Sequence, residues 1–190
     1  MVRFDVLRLA LALPLALGVA CPLRAATIDG VHFADQVTVR DRALPLLGTA
    51  RLIYKWVFKG YVAAFYLEPG ARPDRVLDDV AKRLEIEYFW KIGAADFARA
   101  TDAGIAKNSP REVVTQLRSR IDRLNALYAD VKPGDRYALT YLPGVGTELA
   151  LNGAPRGTVP GADFATALFG IWLGANPLDA DLKRGLLGPH

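Results

Sequence analysis

The sequence predicts an α+β fold, an antiparallel sheet with helices packed on one face. Three observations lead there. Stretches of period-two alternation, rich in aromatic and β-branched residues, are intermixed with stretches whose apolar residues recur every three or four positions. The turns between successive strand segments are short and built from Gly, Pro and Asn, which is hairpin chemistry and argues against a parallel βαβ array. No internal repeat, low-complexity stretch or linker divides the chain, so 190 residues read as one domain able to bury a core of its own.

The elements follow in order. Ile28–Val39 reads as extended, with Ile28-Asp29-Gly30-Val31-His32-Phe33 a short hairpin turning at Gly30 and Val37 and Val39 alternating with polar neighbours. Arg51–Phe58 and Gly60–Leu67 have strand composition, and Pro69-Gly70 closes that section. Pro73–Lys82 is expected to form a short helix, with Val76, Leu77, Val80 and Ala81 on one face. Arg83–Trp90 alternates cleanly and is a strand, and Ala94–Lys107 is helical. Ser109-Pro110-Arg111-Glu112 has the pattern of a capping box with Pro at the first helical position. Behind it Val113, Val114, Leu117, Ile121, Leu124, Leu127 and Tyr128 predict an amphipathic helix of about five turns. Strands Arg136–Leu142 and Thr147–Asn152 are joined by Pro143-Gly144-Val145-Gly146, and turns are expected at Asn152-Gly153 and Arg156-Gly157. Asp163–Leu173 is a largely apolar, buried helix stopped by Gly174 and Pro177, and Asp179 caps a last short helix reaching Leu187.

The scarce residue types exclude several chemistries. His32 and His190 lie near opposite ends of the mature chain, and Cys21 is the one thiol, so nucleophilic triads and zinc or haem ligation have no residues to build on. Residues 1–26 read as an export signal: Arg3 and Arg8 lead into the apolar run Leu9–Leu23, too short to span a bilayer. Cleavage after Ala25 or Ala26 is expected, which makes 27–190 the mature domain, periplasmic or secreted. Cys21 leaves a lipoprotein as the minor alternative. Losing the leader lowers the net charge from +4 to +2. The cluster Arg118, Arg120 and Arg123 has helical spacing and reads as a solvated face, so no nucleic-acid partner is expected. No Walker or dinucleotide fingerprint is present, and no cofactor is expected.

Leu46-Leu47-Gly48-Thr49-Ala50-Arg51, followed by Tyr61-Val62-Ala63-Ala64-Phe65-Tyr66-Leu67, resembles the chalcone isomerase superfamily, and within it the bacterial exported chalcone isomerase-like proteins. Lys132-Pro133-Gly134-Asp135, Pro143–Thr147, Asn152-Gly153 and the segment from Asp163 to Gly174 extend the resemblance over nearly all of 27–190. It implies an open-faced β-sandwich with a ligand cleft between sheet and helices. It also places the chain beside plant enzymes that cyclise chalcones and relatives that bind fatty acids or have no established activity.

The resemblance marks Arg51 as the superfamily arginine, which assists a phenolate in the enzymes and holds a carboxylate in the fatty-acid binders. Tyr61 stands where the plant enzymes have a threonine and would share the acid group with Arg51. Phe97, Gly104 and Ile171 stand where those enzymes place polar side chains, and Asn108 is a candidate polar wall residue. Tyr54, Trp56, Trp90, Phe169 and Trp172 are apolar enough to line a cleft or to fill the core. The leading expectation is therefore a non-catalytic protein binding a small apolar anion, a fatty acid, through Arg51, Tyr61, Tyr54, Asn108 and Ile171. The rivals are an intramolecular lyase or isomerase using Arg51 and Tyr61, and an envelope accessory protein whose cleft serves a protein or membrane partner.

Overall fold

A computed structural model describes residues 26–54 and 58–188; the expected leader up to residue 25, with Cys21, lies outside these, as do the side chains of Tyr54 and Trp56. Fourteen segments give the order β1 (Ala26–Ile28), β2 (Val31–Phe33), β3 (Gln36–Val39), β4 (Arg42–Tyr54), β5 (Phe58–Leu67), a 3-10 turn (Pro73–Arg75), β6 (Lys82–Tyr88), α1 (Ala94–Asn108), α2 (Arg111–Asn125), β7 (Arg136–Leu142), β8 (Gly146–Leu151), β9 (Ala154–Val159), α3 (Ala162–Leu173) and α4 (Ala180–Leu186). Strands β3 to β9 form one seven-stranded sheet in chain order, every pair antiparallel. The α+β expectation holds: the helices cover one face of this sheet, and the separate β1–β2 hairpin covers part of the other.

That double cover explains β5, which is buried from Tyr61 to Leu67. Alternate residues serve the two faces, as the pleat requires. Tyr61, Ala63, Phe65 and Leu67 join the core under the helices, while Val62, Ala64 and Tyr66 pack with Val31 and Phe33 of the hairpin. The hairpin turns at Asp29 and Gly30, both at positive φ (50° and 82°), the geometry a two-residue loop needs. Beside it, Arg136 pairs with Glu85 and Glu87 and reaches the His32 carbonyl.

Helix α2 shows why an amphipathic pattern folds onto the sheet. Leu117, Ile121 and Leu124 are fully or nearly buried, each contributing roughly 1.5–3 kcal/mol by leaving water. Helix α3 is largely apolar and sits deep in the helical layer: nine of its twelve residues are buried. Asp179 caps α4 as expected, its carboxylate accepting from the Leu182 N–H at 2.8 Å. No helix among the described residues is long and apolar enough to cross a membrane.

Four local expectations are corrected. Pro73–Lys82 contains a single 3-10 turn instead of a helix. Lys82 belongs to β6, paired with Leu67 and Tyr141. Its ammonium takes up the Val76 and Asp78 carbonyls, both at 2.7 Å, which a helix would have used itself. The capping box does not form, because Ser109 ends α1 and Pro110 occupies the N-cap of α2, leaving the Ser109 side chain one residue too early to reach the first free N–H groups. The α2 helix has fifteen residues and stops at Asn125, ahead of Leu127 and Tyr128, where the Ala126 N–H closes its last turn on the Asp122 and Leu124 carbonyls. Arg156-Gly157 is no turn but part of β9, where Gly157 opposes Leu149 beside an irregularity in the ladder.

Candidate functional site

A cavity of about 1020 Å³ opens between the sheet and the helices, at the upper end of the range typical of small-molecule sites. Its floor is the helix-facing row of the sheet: Leu52, Tyr61, Leu84, Ile86, Tyr88, Tyr137, Leu139 and Leu149. Register explains the row. Tyr61 sits opposite Leu52 on β4 and opposite Tyr88 on β6, and Ile86 opposite Tyr137 on β7, so these side chains share one face. The roof comes from α1, with Phe97, Thr101 and Gly104, and from α3, with Ile171 and Trp172. Gly104 has a packing reason: a β-carbon there would stand 2.9 Å from two side-chain carbons of Ile171, so α1 crosses α3 closely only because that position is bare. Trp90 and Leu178 line the cavity and are 53% and 52% exposed, which places its mouth beside them.

The interior is aromatic at one end. Tyr88 meets Tyr61, Phe97 and Tyr137 edge-on, with ring centroids 5.8, 5.2 and 6.1 Å apart, and Tyr128 stacks on Phe97 at 5.3 Å. The hydroxyls are mostly engaged. Tyr61 accepts from the Trp172 indole N–H at 3.1 Å, Tyr128 shares a proton with Thr101 at 2.9 Å, and Tyr137 donates to the Ala129 carbonyl. Burial lifts every one of these phenols above the ordinary range: Tyr128 to about 12, Tyr61 and Tyr88 further. For Tyr61 the hydrogen bond from Trp172 pulls back slightly, while Asp179 pushes the same way as burial. They are donors and acceptors at neutral pH, not bases.

Of the residues expected at the site, the structure brings Tyr61, Ile171 and Asn108 together on the cavity wall. Asn108 works as a strut: its amide donates to the Gly104 and Asn176 carbonyls and accepts from the Asn176 N–H, tying the end of α1 to the loop after α3. Arg51 does not join them. It lies opposite Val62 on β5, whose side chain faces the hairpin side of the sheet. Its guanidinium is 48% exposed and 3.3 Å from Asp29. Tyr54 lies outside the described side chains. Phe169 is wholly buried core, whereas Trp90 and Trp172 do line the cavity. Tyr88, Tyr128, Tyr137 and Thr101 were not singled out as site residues; the alternation of Leu84, Ile86 and Tyr88 was the one available signal for the first of them. Among the described residues, charge on the lining is confined to Asp96 and Lys107 on exposed positions of α1. Among the described residues no group of His, Cys, Asp and Glu could hold a metal ion.

The sequence profile of the chalcone isomerase-like family matches residues 25–188. The chain belongs to the chalcone isomerase-like family. No curated protein matches it. Among solved structures, the chalcone isomerase-like fold recurs in a fatty-acid binding protein of Arabidopsis thaliana, with a TM-score of 0.68, 12% sequence identity, and 86% of this chain and 96% of that one covered. At that identity the likeness establishes the fold of this family member, the large antiparallel sheet with its helical layer, and its cavity has to be read from its own residues.

Proposed function

We propose that this chalcone isomerase-like protein binds an elongated apolar molecule of the fatty-acyl class between sheet and helices, without turning it over, and that it does so as an exported protein. The observation that carries the reading is the cavity itself: large, continuous, lined by aliphatic and aromatic side chains, and open at an apolar rim. The fatty-acid-binding relative supports it. Cyclisation of a chalcone needs a cation beside the attacking phenolate, and Arg51 faces away from the cavity while its tyrosines hold their protons.

Binding is tested by titrating the purified protein with fatty acids of increasing chain length against a fluorescent acyl probe. Each added methylene that enters the cavity is worth about 0.8 kcal/mol, close to fourfold in affinity, so affinity should climb steeply and then level off when the cavity is full. Affinity independent of chain length, or no saturable binding, would sink the reading. Arg51→Ala is expected to leave the ladder unchanged within about twofold, since removing an exposed cation on the other face takes away little; a large loss would put the acid group on that face instead. Turnover of a chalcone or enone panel above buffer would favour the isomerase alternative. Sequencing the mature N-terminus after expression with the leader tests export.

A further inference from the structure

Tyr88 stands apart from the other cavity phenols. It is 5% exposed, lies on the cavity floor at the centre of the aromatic cluster, and faces the helices in the same row as Leu84 and Ile86. Tyr61, Tyr128 and Tyr137 each have a hydrogen-bond partner within the protein. Among the described residues the Tyr88 hydroxyl has none. The hydroxyl belongs to a cavity-lining residue and is not sealed away in the core, so an acceptor inside the cavity can reach it and supply the missing hydrogen bond.

The charges around it decide what that acceptor can be. Among the described residues the groups packed about Tyr88 are Tyr61 on β5, Tyr137 on β7, Phe97 on α1 and Tyr128 after α2, all uncharged. Among the described residues the charged lining groups are Asp96 and Lys107, both exposed, and the Lys107 ammonium donates to the Pro177 carbonyl. Asp179, sensed by Tyr61, adds negative potential. The desolvation that holds these phenols protonated acts equally on a carboxylate brought among them.

Resting on the reading of the cavity as an acyl site, we propose that it recognises the polar end of its ligand as an uncharged oxygen, a carbonyl or hydroxyl accepting a hydrogen bond from Tyr88. Long-chain alcohols, aldehydes and ketones are then better ligands at neutral pH than the matching acids, and an acid enters in its protonated form.

The test uses three probes of one chain length, dodecanoic acid, 1-dodecanol and dodecane, titrated into the full mature protein between pH 5 and 9. The alcohol should bind with constant affinity across the range. Affinity for the acid should fall about tenfold per pH unit once the carboxyl ionises in solution, above roughly pH 4–5. Tyr88→Phe should lower the ratio of alcohol to alkane affinity about fivefold to tenfold, the worth of one hydrogen bond. Acid affinity that stays flat from pH 5 to 9, or an alcohol-to-alkane ratio unmoved in Tyr88→Phe, would overturn the proposal while leaving the acyl cavity standing. Failure of all three probes to bind would remove the acyl reading and this inference together.

Discussion

Gly48→Ala is expected to cost about 3 kcal/mol of stability, at the top of the range for an overpacked contact. A β-carbon at Gly48 would stand 2.2 Å from the Gly185 carbonyl oxygen, 2.8 Å from the Gly188 nitrogen and 2.9 Å from the Leu186 oxygen. All three obstacles are backbone, so no side chain can swing aside; α4 would have to lift off β4. The contact is reciprocal, since a β-carbon on Gly185 would stand 2.8 Å from that of Ala50 and 2.9 Å from the Thr49 oxygen. Gly144→Ala is the control. That glycine has positive φ (73°) but open space around it, so only backbone strain of about 1 kcal/mol is expected. Urea denaturation of the two variants separates a packing loss from a turn penalty; equal losses would refute the packing account.

The same glycine shows what the sequence discloses and what it withholds. Leu46–Arg51 is the stretch on which the family resemblance begins, and in the structure its Gly48, Thr49 and Ala50 are where α4 docks. Features made by neighbours in the chain were legible: the Asp29-Gly30 turn, the β7–β8 hairpin, the apolar α3 and the Asp179 cap each depend on a few adjacent residues. Features made by distant residues were not. The 73–82 segment has a helical pattern, yet its carbonyls serve Lys82 and the strand that Lys82 begins. Arg51 has the residue type of an acid clamp, but which face it takes is set by pairing with β5. That ladder slips between Leu52 and Ile53, and an irregularity of this kind cannot be read from period-two alternation. Tyr61 and Ile171 came from the resemblance, whereas Tyr88 carries no motif and gains its interest only from the three rings and the empty space around it.

Stability against pH should rise gently from neutrality to about pH 9 and then collapse. Lys82 causes the rise. Wholly buried, it has its ammonium pushed down to about 8 by desolvation, which the nearby Asp79, Asp78 and Glu68 offset only in part. Between about 8 and the 10.5 of an exposed lysine, the unfolded chain holds a proton that the folded chain has released, so folding gains as pH increases. The full shift is worth about 3 kcal/mol, of which roughly 1 kcal/mol should be visible between pH 7 and 9. The tyrosines cause the fall. Tyr61, Tyr66, Tyr88, Tyr128, Tyr137 and Tyr141 are all raised, burial being the largest cause for each. Above pH 10 their unfolded phenols ionise while the folded ones keep their protons, so the sign reverses. Each then subtracts stability as pH climbs, by at most about 1.4 kcal/mol per pH unit, and because these losses add they outrun the single gain from Lys82. Urea midpoints measured from pH 7 to 11 should trace this curve, with the phenolate absorbance of these six tyrosines appearing together with unfolding instead of ahead of it. In Lys82→Met the rise should vanish and the fall remain; a Lys82→Met profile that still climbs toward pH 9 would assign the rise to another group.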